Sequence, residues 1–118
     1  MNEDGLEGAL ILTIDDERAI RESFHLYLED YGYEVLEAEN GQIGIELFEE
    51  RSPDLVLVDL RMPLVDGLQV LAHIVGNSSK TPVIVISGTG VISDVIEALH
   101  LGAWDYMLKP VQDLSVLL

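Results

Sequence analysis

An α/β domain with a doubly wound, five-stranded parallel sheet is the fold the sequence predicts, on three observations. Apolar runs rich in β-branched residues recur at residues 9–14, 55–58 and 83–86. Runs this continuous belong to strands covered on both faces. Between them lie segments with apolar residues at helical spacing, joined by short connections, and such alternation builds right-handed crossovers with helices on both sides of a sheet. Finally, each run ends in a polar residue, Asp15, Asp59 or Ser87. In a parallel sheet these ends rise on one edge, where ligands bind.

Taken in order, residues 1–8 read as a loose acidic lead-in and 9–118 as one domain, the N-terminal part of a longer chain. The first strand, 9–14, runs into Asp15-Asp16-Glu17. A helix follows with Ile20, Phe24, Tyr27, Leu28 and Tyr31 on one face, and Gly32 stops it in the left-handed position after a helix end. Residues 33–38 alternate apolar with acidic, as a half-exposed edge strand does. Asn40 caps a second helix through about Glu50, with Ile43, Leu47 and Phe48 inward. Ser52-Pro53-Asp54 turns into the third strand, which ends at Asp59 before the chain breaks at Pro63.

Val65-Asp66-Gly67 is a second turn, and Leu68, Leu71, Ala72 and Val75 mark a third helix. Asn77-Ser78-Ser79-Lys80 is loop. The fourth strand, 83–87, leads through Gly88-Thr89-Gly90 to a fourth helix with the stripe Ile92, Val95, Ile96 and Leu99, ended by Gly102. A short last strand at 106–108 is closed by Lys109-Pro110. Asp113 caps a fifth helix of which only Leu114 to Leu118 remain, too short to be stable in water by itself.

Composition bounds the function. With 118 residues, 48% of them hydrophobic and 24% charged, the chain can build one real core. The net charge is −16, a surface that repels nucleic acid. Most carboxylates read as solvated helix faces. No apolar run approaches the roughly 20 residues that span a bilayer, and the acidic start lacks the pattern of a secretory signal. No membrane contact and a cytoplasmic location are therefore expected. Zero cysteines exclude disulfides and thiol chemistry. His25, His73 and His100 fit no metal-ligand spacing.

Asp59 after so apolar a run needs a reason, because an unpaired buried charge is costly. By itself it could cap a nearby turn. With strand order 2-1-3-4-5, however, Asp15, Asp16 and Asp59 flank the switch point and share one crevice. Three carboxylates there repel one another unless some protonate or a cation binds. Oxygen-only ligands favour a hard ion, and Mg²⁺ is the natural candidate. Lys109 and Ser87, at the ends of the fifth and fourth strands, supply a cation and a donor for the oxygens of a transferring phosphoryl group. Asp59 is then the nucleophile, forming an aspartyl phosphate.

The ordered set Asp15-Asp16, Asp59 within Leu57-Val58-Asp59-Leu60-Arg61-Met62-Pro63, Asp66-Gly67, Ser87-Gly88 and Lys109-Pro110 resembles the receiver domain of two-component response regulators, over about residues 10–116. The resemblance implies a flavodoxin-like fold of the chemotaxis-regulator kind. It also implies a phosphorelay in which Asp59 accepts a phosphoryl group from a phosphohistidine on a sensor histidine kinase or phosphotransfer protein. Asp16, Asp59 and the Arg61 backbone carbonyl would ligate Mg²⁺, with Asp15 helping through water. Ser87 would hydrogen-bond the phosphoryl group, Lys109 would pair with it, and the Lys109-Pro110 bond is expected to be cis.

Tyr106 matches the family's switch aromatic, turning inward as Ser87 shifts and remodelling the face made by the fourth helix, fifth strand and fifth helix. That face would control an output domain or partner and could support a homodimer. The plain alternative is a strand tyrosine with a wet hydroxyl. Trp104 is a partner anchor or an ordinary packing residue. Ser87 stands where threonine is also common and Gly88 where alanine is frequent. By analogy Arg61 and Thr89 influence how long the phosphoryl group survives.

Other readings fit less of the chain. A haloacid dehalogenase-type phosphatase needs a second aspartate two positions after the nucleophile, where Arg61 stands. A flavodoxin would cradle a phosphate in the loop after its first strand, and Asp15-Asp16-Glu17 repels one. The main rival is a receiver-like module that only binds or dimerises and never carries phosphate.

Overall fold

The computed structural model describes residues 8–62, 65–77, 80–88 and 92–109. Along the chain run β1 (Leu10–Ile14), α1 (Arg18–Asp30), β2 (Glu34–Ala38), α2 (Gly41–Arg51), β3 (Leu55–Asp59), α3 (Gly67–Asn77), β4 (Val83–Ser87), α4 (Ile92–Leu101) and β5 (Asp105–Leu108). The strands pair in parallel in the order β2-β1-β3-β4-β5, the order expected. The fifth helix, the Lys109-Pro110 bond, Thr89 and Pro63 lie outside the described residues.

Period-two alternation divides the core. Leu12, Ile14, Val56, Val58, Val83 and Val85 pack on one face with Phe48 of α2, Val70, Leu71 and Ile74 of α3, and Val95 and Ala98 of α4. Ile11, Leu57 and Ile86 point the other way, onto Phe24 and Leu28 of α1. The central strands thus bury both faces, which is why their sequences lack polar alternation. Register places Asp59 opposite Ile86 and Ser87 opposite Leu108, so the polar strand ends share one edge.

Local signals work as read for two helices. Asn40 accepts a hydrogen bond from the Ile43 N–H at 2.9 Å, an N-cap. Gly32, after α1, takes φ of 91°. Among the described residues, no helix is long and apolar enough to cross a membrane.

Three expected helix faces are corrected. Tyr31 lies past the end of α1 in the turn; it is exposed, its ring 5.2 Å from that of Tyr27. On α3 the buried residues are Gly67, Val70, Leu71 and Ile74, and Ala72 is exposed, because the helix also meets α2 and α4 and its apolar arc is wider than its contact with the sheet. On α4 only Val95 and Ala98 of the helix are buried, and Ile92, Ile96 and Leu99 are exposed. Val95, the one buried member of the expected stripe, and the small Ala98 seat this helix in the core. Trp104, Tyr106 and Leu108 are exposed as well.

Candidate functional site

Two loops and one strand end build the site. β1 delivers Asp15, whose backbone N–H is held by the Ala38 carbonyl at 3.1 Å, and Asp16 follows on the exposed side of the same turn. Glu17 is the residue from which α1 starts; its N–H donates to Asp15 Oδ1 at 2.9 Å. β3 delivers Asp59, with Oδ1 accepting from the Arg61 N–H at 3.2 Å. The Lys109 N–H donates to the Ser87 carbonyl at 2.8 Å, which fixes the lysine at the end of β4.

The side chains converge. Oxygens of Asp15, Asp16, Glu17 and Asp59 lie within 4.8 Å of one another. Lys109 Nζ lies 2.8 Å from Glu17 Oε1, 3.0 Å from Asp15 Oδ2 and 3.1 Å from Asp59 Oδ2. Residues at positions 15, 16, 59 and 109, remote in sequence, thus meet as the strand order required. Ser87 is buried at the neighbouring strand end, its hydroxyl 3.4 Å from the Gly88 carbonyl. Tyr106 faces outward, 44% exposed.

Sequence reasoning missed three participants. Glu17 makes the shortest of the lysine contacts, and its adjacency to Asp15-Asp16 was the available signal. Gly67, read as a turn residue and as part of the Asp66-Gly67 motif but not as a contact, packs against the end of β3: a Cβ there would overlap the Asp59 carbonyl oxygen and Leu60 Cα. Asp94, on α4, takes the Arg61 guanidinium, with Nε 2.9 Å from its Oδ2. No local pattern announces that last pair.

Burial leaves two of the carboxylates, Asp15 and Asp59, reluctant to be charged. Burial pushes Asp15 up to about 6; the Glu17 N–H pulls it down, the Asp59 charge pushes it up and Lys109 pulls it down again. Burial likewise raises Asp59, against the Arg61 N–H and Lys109. For Lys109 burial acts downward, but the carboxylates of Glu17, Asp15 and Asp59 outweigh it and hold the ammonium above the usual lysine range. The donor set suits a hard divalent cation: all oxygen, with Asp15 Oδ2 buried, ion-paired to Lys109 and completing no hydrogen bond.

The sequence profile of the response regulator receiver domain matches residues 11–117. The Regulator of RpoS of Escherichia coli (strain K12) is 38% identical over 110 residues, covering 93% of this chain and 33% of that protein, so the chain spans about a third of its length. Among solved structures, a response regulator receiver domain protein from Clostridium thermocellum is 38% identical with a TM-score of 0.84, covering 92% of this chain and 89% of its own. A CheY-like receiver domain protein from Methanospirillum hungatei JF-1 is 29% identical with a TM-score of 0.88, covering 94% and 89%.

Proposed function

Since the chain belongs to the response regulator receiver domains of two-component signalling, we propose that Asp59 accepts a phosphoryl group from a phosphohistidine on a histidine kinase or phosphotransfer protein. The observation that carries this is the convergence of one ammonium and four carboxylates on the end of β3.

In this reading the Asp59 carboxylate forms the new bond to phosphorus as the phosphorus–nitrogen bond of the donor breaks, its electron pair leaving with the imidazole. The Arg61 N–H on Oδ1 fixes the carboxylate for attack. Lys109, 3.1 Å from Oδ2, needs only a small shift to meet the incoming phosphoryl oxygens. Ser87 supplies a hydroxyl from the adjacent strand end. Receiver domains generally bind Mg²⁺ at an acidic pocket. Here Asp16, Asp59 and the Arg61 carbonyl would hold it, with Asp15 through water, and when bound it offsets the negative charge of the phosphoryl oxygens.

Output would pass through the face carrying α4 and β5, where Ile92, Ile96, Leu99, Trp104 and Tyr106 are exposed. Tyr106, outward here, would turn inward in the switch reading. The partner would be an output domain of a longer regulator, a separate protein or a second copy.

The reading is tested by incubating the chain with Mg²⁺ and acetyl phosphate. Intact mass is expected to rise by one phosphoryl group, and the gain is lost on chelation and in Asp59→Asn. An unchanged mass with Mg²⁺ present would favour a module that only binds or dimerises.

A further inference from the structure

Two residues beyond the acceptor, Arg61 holds Asp59 Oδ1 with its backbone N–H but turns its side chain away. The guanidinium reaches across to the first turn of α4, where Nε lies 2.9 Å and a second nitrogen 2.7 Å from the same oxygen, Asp94 Oδ2. The two residues help to wall a cavity of about 520 Å³, also lined by Leu60, Met62, Asp66 and Leu68. The Asp94 side chain is 22% exposed and that of Arg61 64%, so the tie stands at the rim.

Four carboxylates and one ammonium leave the neighbouring site strongly negative when ionised. A second cation tethered two residues from Asp59 would be drawn into it, unless a competing carboxylate kept it out. We propose that Asp94 is a positioning residue that holds the Arg61 guanidinium away from Asp59. It thereby leaves the carboxylates free for a divalent cation and limits the pull on an anionic phosphodonor. The assignment rests on the phosphoacceptor reading.

Releasing the tether adds a cation beside the acceptor. In Asp94→Asn, at saturating Mg²⁺, the KM for acetyl phosphate is expected to fall about two- to fivefold with kcat little changed, the span by which an exposed ion pair biases an equilibrium. Mg²⁺ affinity, followed by calorimetry without phosphodonor, is expected to weaken by a similar factor. Both effects shrink in high salt, which screens the freed charge. Neither is expected when Asp94→Asn is made in an Arg61→Gln background, and Asp94→Glu is expected to restore the wild-type values.

Unchanged constants in Asp94→Asn, or equal changes with and without Arg61, would overturn the assignment while leaving phosphoryl uptake intact. A wild-type chain that gains no phosphoryl mass would overturn the acceptor reading and this assignment with it.

Discussion

Replacing Lys109 with methionine is expected to destabilise the chain by about 3 kcal/mol near neutral pH in chelated buffer, because removing one partner of a buried ion pair strands the other. The lysine side chain is 12% exposed, and Asp15 and Asp59 beside it are 1% and 4% exposed. Methionine keeps the packing volume and removes only the charge.

The loss is expected to depend on pH in a definite direction. Asp15, raised from 3.8 to about 6, costs stability when ionised; the cost is full above about 6 and fades as pH falls toward 3.8. Without the ammonium that cost grows and protonation sets in at higher pH. The gap between wild type and variant is therefore wide at neutrality and narrows on acidification. The lysine's own raised value lies above 10.5, so its stabilising contribution is lost only as pH climbs beyond that, outside this window. Urea unfolding across the acid range measures the gap. A gap that stays constant would mean that methionine had damaged packing and that the charge was idle.

Gly67→Ala is expected to cost about 1–3 kcal/mol, the range for forcing an extra group into a packed site. The atoms its Cβ would meet are the Asp59 carbonyl oxygen and Leu60 Cα, backbone atoms that cannot step aside as a side-chain rotamer can. Relief would come from pushing the end of β3 outward, so a second loss is expected in phosphoryl uptake. Gly76, on the same helix, is the control: an added Cβ meets nothing within 4 Å there. Gly76→Ala is expected to gain about 0.5–1 kcal/mol from helix propensity, with uptake unchanged. Thermal unfolding of the two variants reads the contrast, and equal responses would show that Gly67 is not a contact residue.

The architecture was legible because strands buried on both faces announce themselves as unbroken apolar runs, and because a parallel sheet puts every carboxyl end on one edge. From that, Asp15, Asp16, Asp59 and Lys109 could be brought together without coordinates. Helix faces were less legible. α4 carries more apolar residues than the sheet covers, so of the stripe Ile92, Val95, Ile96 and Leu99 only Val95 is buried, and Ala98 takes the contact beside it. Tyr31 had the spacing of a core residue, but the turn at Gly32 takes it off the helix.

Long-range polar pairs were not legible at all. Arg61 and Asp94 are 33 residues apart, and nothing in either neighbourhood selects the other. Glu17 looked like one more solvated acid because its meeting with Lys109 depends on the lysine at the end of β5 reaching back past the ends of β4 and β3 to the loop after β1. Gly67 was hidden for a different reason: a glycine in a turn and a glycine under a neighbouring backbone have the same sequence signature.

The account turns on which oxygen receives phosphorus. Loading the chain with acetyl phosphate and Mg²⁺, reducing the acyl phosphate with borohydride and sequencing the peptides by mass spectrometry locates it, since the modified aspartate becomes homoserine. The expected result is homoserine at position 59 alone. Homoserine at Asp15 or Asp16, or a phosphoryl group that resists reduction and stays on His25, His73 or His100, would contradict the account.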